Sequence, residues 1–244
     1  MPHFTRHSSG THEKRWQRLA KSFTTNGGRK TSRYTTFNMF ITLEGPEGSG
    51  KTSQLPFLAE ALRKEGYDLI TTREPGGTAI GDQIRKVLFD LGNKSMQPRS
   101  EILLFQASRA QLVEEVIRPA LAAGKVVLCD RYADSTLAYQ GYGHRVDLDT
   151  LKEVINFATG GLKPELTMFL DISVEEGLKR RNHGGDWNRL DDYDKEFHAR
   201  VYAGYQNLIT AEPQRWVVVD AARSTEAVAR DLRSLVLQRL KQRA

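Results

Sequence analysis

The octapeptide Gly45-Pro46-Glu47-Gly48-Ser49-Gly50-Lys51-Thr52 constrains this chain more than any other feature, because it fits G-x-x-x-x-G-K-[ST] in full. It follows the apolar run Phe40–Glu44 and precedes a helical pattern. In that context the glycines permit the backbone angles that let a loop wrap its N–H groups around phosphate oxygens. The next helix adds its positive N-terminal end. Lys51 is placed to reach the β and γ phosphates of a nucleotide, and Thr52 to offer its hydroxyl to Mg2+. The motif alone allows ATP or GTP. A guanine-reading Asn-Lys-x-Asp is lacking, since Asn93-Lys94-Ser95-Met96 has no Asp and follows no strand pattern. Adenine nucleotide is therefore the expected donor.

From Met39 onward, apolar runs alternate with helical patterns. Phe40–Glu44, Asp68–Thr72, Val126–Cys129, Leu166–Asp171 and Trp216–Val219 are short and β-rich, with little polar alternation, as in strands covered on both faces. Helical spacing marks Ser53–Glu65, Ser100–Ala123, Leu148–Ala158, Tyr193–Thr210 and Thr225–Arg239. This alternation predicts an α/β fold, with helices on both faces of a parallel sheet. No repeat or linker interrupts 39–244, which is expected to form one domain. No run of about 18 apolar residues marks a membrane-spanning helix. Cys129 is the one cysteine, so no disulfide can form within the chain, which suits a reducing compartment.

The net charge of +6 suggests nucleic-acid binding until its distribution is read. Residues 1–38 carry eight Lys/Arg against the single acid Glu13, a net of +7, whereas the other 206 residues carry 28 Lys/Arg against 29 Asp/Glu, a net of −1. The basic excess belongs to the leader, and no nucleic-acid partner is expected. Rich in Ser, Thr and Gly and poor in aliphatics, the leader buries too little to offset its ordering entropy. It reads as a disordered extension or a start codon placed too early. A transit peptide is the alternative, since the segment is basic and nearly free of acids. A cytoplasmic location is expected, or an organelle if the leader is a transit signal.

Four further segments lie at carboxyl ends of expected strands or on adjoining helices, the edge where doubly wound sheets bind ligands. They are Thr72-Arg73-Glu74-Pro75-Gly76-Gly77-Thr78, Phe105-Gln106-Ala107-Ser108-Arg109, Asp130-Arg131-Tyr132 and Ser135-Thr136-Leu137-Ala138-Tyr139-Gln140-Gly141. Arg73 and Arg131 are forked donors suited to a phosphate, or to surface ion pairs. Asp130 ends a strand, where it could hold a Mg2+-bound water or cap a helix. Phe105 and Arg109 are four residues apart and share a helical face. Taken from its spacing alone, Phe105 reads first as a core residue.

With the phosphate loop, this series resembles the thymidylate kinase family, in order and spacing, from Met39 to about Ala211. The resemblance implies a P-loop kinase three-layer sandwich, with a five-stranded parallel sheet and an arginine-containing lid. It implies transfer of the γ-phosphate of ATP, with Mg2+, to dTMP, giving dTDP for dTTP synthesis, by a homodimer. On the matching positions it places Arg73 and Arg131 at the dTMP phosphate, Phe105 stacked on thymine and Arg109 at a ring carbonyl. Thr136 and Gln140 offer hydrogen bonds to the rest of the base, and Tyr139 crowds the sugar 2′ position.

Leu178-Lys179-Arg180-Arg181-Asn182-His183-Gly184-Gly185-Asp186-Trp187-Asn188-Arg189-Leu190 reads as a mobile basic lid, or as a solvated loop. Glu47 stands where some family members carry an arginine, and such members' relatives supply it from the lid. Arg180 and Arg189 match that pattern and join Lys51 and Arg131 as the expected catalytic cations. Two rivals are a kinase for another nucleotide or a nucleoside, and a non-catalytic nucleotide-binding module. Intact Lys51, Asp130 and Arg131 argue against the second.

Overall fold

The structure is a computed structural model that describes residues 38–183 and 188–243. The expectation for the basic leader falls on residues 1–37, outside the described residues. Five strands form one parallel sheet: β1 Met39–Glu44, β2 Leu69–Arg73, β3 Val126–Asp130, β4 Leu166–Asp171 and β5 Trp216–Asp220. Their spatial order is β2-β3-β1-β4-β5, so β1 is central and its carboxyl end sits between those of β3 and β4. The strands match the expected runs to within a residue at each end.

Every residue of β1 is buried, because alternate side chains enter separate cores. Ile41 and Leu43 pack with Leu128, Met168 and two helices, α1 Lys51–Lys64 and α9 Thr225–Arg243. Phe40 turns the other way, with Val127 and Cys129, onto Leu112, Val113 and Ile117. A third cluster sets Phe169 of β4 against Ala138, Phe197, Tyr205 and Trp216. The result is the expected three-layer arrangement, helices over both faces of a parallel sheet.

Three more helices surround the β2–β3 connection: α2 Ala79–Phe89, α3 Pro98–Leu112 and α4 Arg118–Ala122. The sequence pattern predicts one helix over 100–123. The structure inserts a π turn at Val113–Ile117 between α3 and α4, and a second π segment, Leu137–Gly143, follows α5 Ala133–Thr136. Helix α2 has no counterpart among the expected elements; the Thr78 hydroxyl caps it by accepting from Gly81 N. The chain continues through α6 Leu148–Thr159, which packs on α3 through Leu151, Ile155 and Ile102, then α7 Val174–His183 and α8 Lys195–Ala211. The Asp194 carboxylate accepts from Phe197 N and sets the start of α8 two residues later than expected. Among the described residues no helix is long and apolar enough to cross a membrane.

Candidate active site

The carboxyl ends of the strands open into a cavity of about 610 Å³. Its wall takes in the phosphate loop, Arg73, Phe105, Arg109, Asp130, Arg131, Thr136, Tyr139, Gln140, Arg180 and Arg181. The loop turns from β1 into α1 through Gly50, whose φ of +90° favours glycine at this helix start. Gly48, at φ +68°, is required by space as well: a Cβ there would lie 2.0 Å from the Gly177 carbonyl oxygen. The reciprocal Cβ on Gly177 would lie 2.4 Å from the Glu47 carbonyl. Phosphate loop and α7 therefore meet backbone to backbone, which seats Arg180 and Arg181 beside the loop.

Lys51 Nζ donates to the carbonyls of Gly45 and Pro46 and to Ser49 Oγ, at 3.0, 2.8 and 3.0 Å. Burial, with Arg131 nearby, pushes the ammonium down to about 8 against the pull of Glu47 and Asp130. Thr52 Oγ1 donates to Asp130 Oδ2 at 2.6 Å, bringing together a hydroxyl and a carboxylate from two elements. Among the described residues no group of three or more His, Cys, Asp or Glu could hold a metal. Mg2+ needs no such cage, since it keeps several waters and binds through one or two protein oxygens plus phosphates. Thr52 and Asp130 fit it on that ground.

Arg131 has a left-handed backbone, φ +66°, a costly conformation for a residue with a side chain. Its Nη1 donates to Gly45 O, Ser135 Oγ and Tyr205 Oη. Its Nη2 donates to Glu47 Oε1 at 2.8 Å and to the Tyr139 hydroxyl at 3.2 Å. Burial alone would raise the Glu47 carboxyl, but Arg131, Lys51 and the Tyr139 hydroxyl bring it down to about 2. Arg73 is half exposed and pairs with Asp82 of α2. Arg85, one turn further along α2, also lines the cavity and donates to Pro75 O while covering the Phe89 ring.

The cavity wall also includes Phe105, Arg109 and Gln140. Phe105 is half-buried there and belongs to none of the hydrophobic clusters, which removes the core reading. Arg109 is almost wholly buried and largely committed. Nε and Nη2 grip Glu74, and Nη2 also donates to Tyr132 O and Thr136 Oγ1. Nη1 donates to Gln106 Oε1, and its second N–H has no acceptor among the described residues. Gln140 donates to Glu101 Oε1.

The lid arginines separate. Arg180 lines the cavity and donates to Glu176, Ala221 O and Ala222 O. Arg181 lines it too, held on both oxygens of Asp191. Arg189 lies elsewhere. Only 4% exposed, it is absent from the cavity wall and donates to Leu88 O, the Tyr193 hydroxyl and Glu101. The pairing with Glu101 is nonlocal, so spacing within the lid could not show it. Residues 184–187 of the lid lie outside the described residues.

Sequence reasoning left Arg181 as one more arginine of the lid and missed Arg85, Glu44 and Gly177. A glycine inside the helical pattern Val174–His183 was the signal for the last, because such glycines mark close approach. Arg85 lay in a helix with no expected counterpart.

A family model described as Thymidylate kinase matches residues 43–232. The chain is 53% identical over 212 residues to a protein named Thymidylate kinase from Roseiflexus castenholzii, covering 82% of this chain and 93% of that one. It is 48% identical over 204 residues to one of the same name from an Exiguobacterium strain, covering 84% and 96%. Among solved structures, thymidylate kinase from Ehrlichia chaffeensis superposes with a TM-score of 0.67 at 30% identity, over 82% of this chain and 99% of that chain.

The buried pair Arg189–Glu101 generates a stability prediction. Burial alone would raise the Glu101 carboxyl, yet His144, Gln140 and Arg189 around it bring it down to about 2. A lowered carboxyl contributes stability that is present above its unfolded value near 4.5 and is lost as pH falls through about 2. At neutral pH, Arg189→Ala leaves that charge without its arginine partner and is expected to cost about 3–5 kcal/mol. Thermal melts at pH 7 are expected to fall by roughly 10 °C. An unchanged melt with a large loss of kcat would instead place Arg189 in the transfer step.

Proposed function

Because the chain belongs to the thymidylate kinase family, and so phosphorylates dTMP from ATP in the synthesis of dTDP and dTTP, we propose that transfer occurs inside this cavity with the following division of labour. The observation that carries the reading is the convergence of Lys51, Arg73, Arg85, Arg131, Arg180 and Arg181 on one cavity that also holds Phe105. Two polyanions must be brought together there, and phosphoryl transfer leaves the protein mainly positioning and charge neutralisation.

The Gly45–Thr52 loop takes the donor phosphates on its N–H groups. Lys51 exchanges its loop carbonyls for β- and γ-phosphate oxygens. Thr52 and Asp130 would hold Mg2+, the first through its hydroxyl and the second directly or through a water. When bound, that ion would neutralise charge that develops on the donor phosphates. Arg73, Arg85 and Arg131 hold the dTMP phosphate, one oxygen of which attacks the γ-phosphorus in line. The bond to the β–γ bridging oxygen breaks, and ADP and dTDP leave with no covalent enzyme intermediate.

Phe105 stacks on thymine, the spare N–H of Arg109 meets a ring carbonyl, Thr136 and Gln140 complete the base edge, and Tyr139 stands at the sugar. Arg180 shares its part of the wall with Ala221, Ser224, Thr225 and Val228, which supports a place for the donor base there. Arg181 becomes the lid cation for the migrating group, in place of Arg189, because Asp191 holds it beside Glu47 of the phosphate loop. Residues 39–244 form the kinase domain and 1–38 an extension outside it. A homodimer and a cytoplasmic location complete the proposal. Exposed Leu103 and Phe157, on helices that pack together, support a paired assembly.

Two substitutions test these roles. Phe105→Ala is expected to weaken dTMP binding by about 1–3 kcal/mol, the scale of a base–aromatic stack, with ATP binding barely changed. Equal loss of both ligands with a lowered melt would make Phe105 a packing residue. Arg181→Ala is expected to lower kcat by roughly 10²-fold or more, about 2.7 kcal/mol of transition-state stabilisation. Binding of dTMP without ATP should be little altered, since the lid acts on closing over the donor. A kcat within a few-fold of the parent for both Arg180→Ala and Arg181→Ala would remove the lid as the source of that charge.

A further inference from the structure

Glu44 is the last residue of β1, wholly buried, and the transfer scheme gives it no task. Its surroundings do. Oε1 accepts from the backbone N–H of Tyr132 at 2.8 Å. Oε2 accepts from the Ser135 hydroxyl at 2.6 Å and from the Tyr205 hydroxyl at 3.0 Å. The same two hydroxyl oxygens accept from Arg131 Nη1, at 3.1 and 3.3 Å. Glu44 thus touches the peptide that follows the left-handed residue Arg131 and, at one remove, one edge of its guanidinium.

We propose that Glu44 is a positioning residue for Arg131: its carboxylate draws both hydroxyl protons to itself, leaving Ser135 and Tyr205 as acceptors that anchor the Nη1 edge and turn the Nη2 edge to the anionic ligand. This rests on the reading that Arg131 holds the dTMP phosphate. The logic is one of counting protons. An ionised carboxylate only accepts, so each hydroxyl can spend its single proton on Glu44 and keep a lone pair for Arg131. Charge-assisted bonds of this kind also polarise the hydroxyls and strengthen them as acceptors. At the other edge, Nη2 meets Glu47 and Tyr139, both on the cavity wall, where a phosphate can take over. The bond to Tyr132 N offsets part of the strain of the left-handed backbone at Arg131.

Substitution by glutamine disturbs the count in a defined way. The amide carbonyl can still accept from Tyr132 N–H. Its NH2 group then faces two hydroxyls and accepts from neither. Ser135 Oγ and Tyr205 Oη are 2.9 Å apart, so one of the two protons can pass between them, and the other is left facing only Arg131, itself a donor.

Several charged or titratable groups bear on Glu44. They are Arg131 of the loop after β3, Asp134 of α5, Tyr205 of α8, Lys51 of α1, Cys129 of β3 and Arg109 of α3; Asp134 is in turn bound by Arg215. Burial, with the like charge of Asp134, lifts the Glu44 carboxyl to about 7 against the pull of Arg131, Ser135 and the Tyr132 amide. Its ionised form, the one that anchors Arg131, is therefore lost as pH falls through about 7. An acid limb in kcat follows, while the second ionisation of dTMP is common to every variant and drops out of the comparison.

The test measures kcat at saturating ATP and dTMP from pH 5.5 to 9, for the parent, Glu44→Gln, Ser135→Ala/Tyr205→Phe, and the triple variant. Glu44→Gln is expected to lower kcat by about ten-fold or more, as for loss of a charge-assisted hydrogen bond, and to flatten the acid limb. Added to the double variant, it is expected to change kcat less than about two-fold, because the relay is already gone. An acid limb that persists unchanged in Glu44→Gln, or full additivity in the triple variant, overturns the proposal. If Glu44→Gln does not fold, the double variant decides: loss of the limb supports the relay and its retention overturns it. Arg131→Ala separates the two levels. Unchanged kcat/KM for dTMP in Arg131→Ala refutes the reading of Arg131 itself, whereas an impaired Arg131→Ala beside an undisturbed Glu44→Gln refutes only the relay.

Discussion

The ion pair between Arg131 and Glu47 joins the carboxyl end of β3 to the loop after β1, and the site is organised around it. An arginine buried at this position needs a partner in the ligand-free fold, since an unpaired charge away from water is costly. Glu47 supplies it on one edge, and Gly45 O, Ser135 and Tyr205 on the other. Lys51 is handled likewise by loop carbonyls and Arg181 by Asp191. Each cation of the cavity thus has a protein partner that phosphate oxygens are chemically suited to replace. The same fold can then be stable without nucleotide and receptive to it.

Much of this was legible in the sequence because it was local. Phosphate-loop chemistry and the five apolar strands depend on neighbours in the chain. Strand ends are a fixed address in a doubly wound sheet, so Arg73, Asp130 and Arg131 could be placed at the ligand edge before any coordinates. Phe105 is an instructive middle case. Helical spacing alone left it as a core residue, and only the family resemblance moved it to the cavity, where the structure sets it.

What was not legible depended on pairings across the fold. Arg189 looked like one more lid arginine until Glu101, 88 residues earlier, was seen to hold it. Arg180 and Arg189 were the arginines that matched the family's pattern, whereas Asp191, which holds Arg181 at the cavity wall, was not foreseen as its partner. Arg85 went unnoticed because α2 was not foreseen, its short amphipathic run being hidden behind the Gly-Gly turn. Glu44 read simply as the polar end of a strand; its three acceptor contacts come from α8 and the segment after β3. In each case the residue type was visible and its partner was not.

The central claim is that the arginines of this cavity are held for a phosphate that arrives with the acceptor. Calorimetric binding of dTMP and of thymidine, without ATP, tests it most directly. Two or more charge-assisted contacts to the acceptor phosphate imply that thymidine binds about 10³-fold or more weakly than dTMP. Affinities within roughly ten-fold of one another would mean that the base and sugar carry recognition and that Arg73, Arg85 and Arg131 do not hold the phosphate.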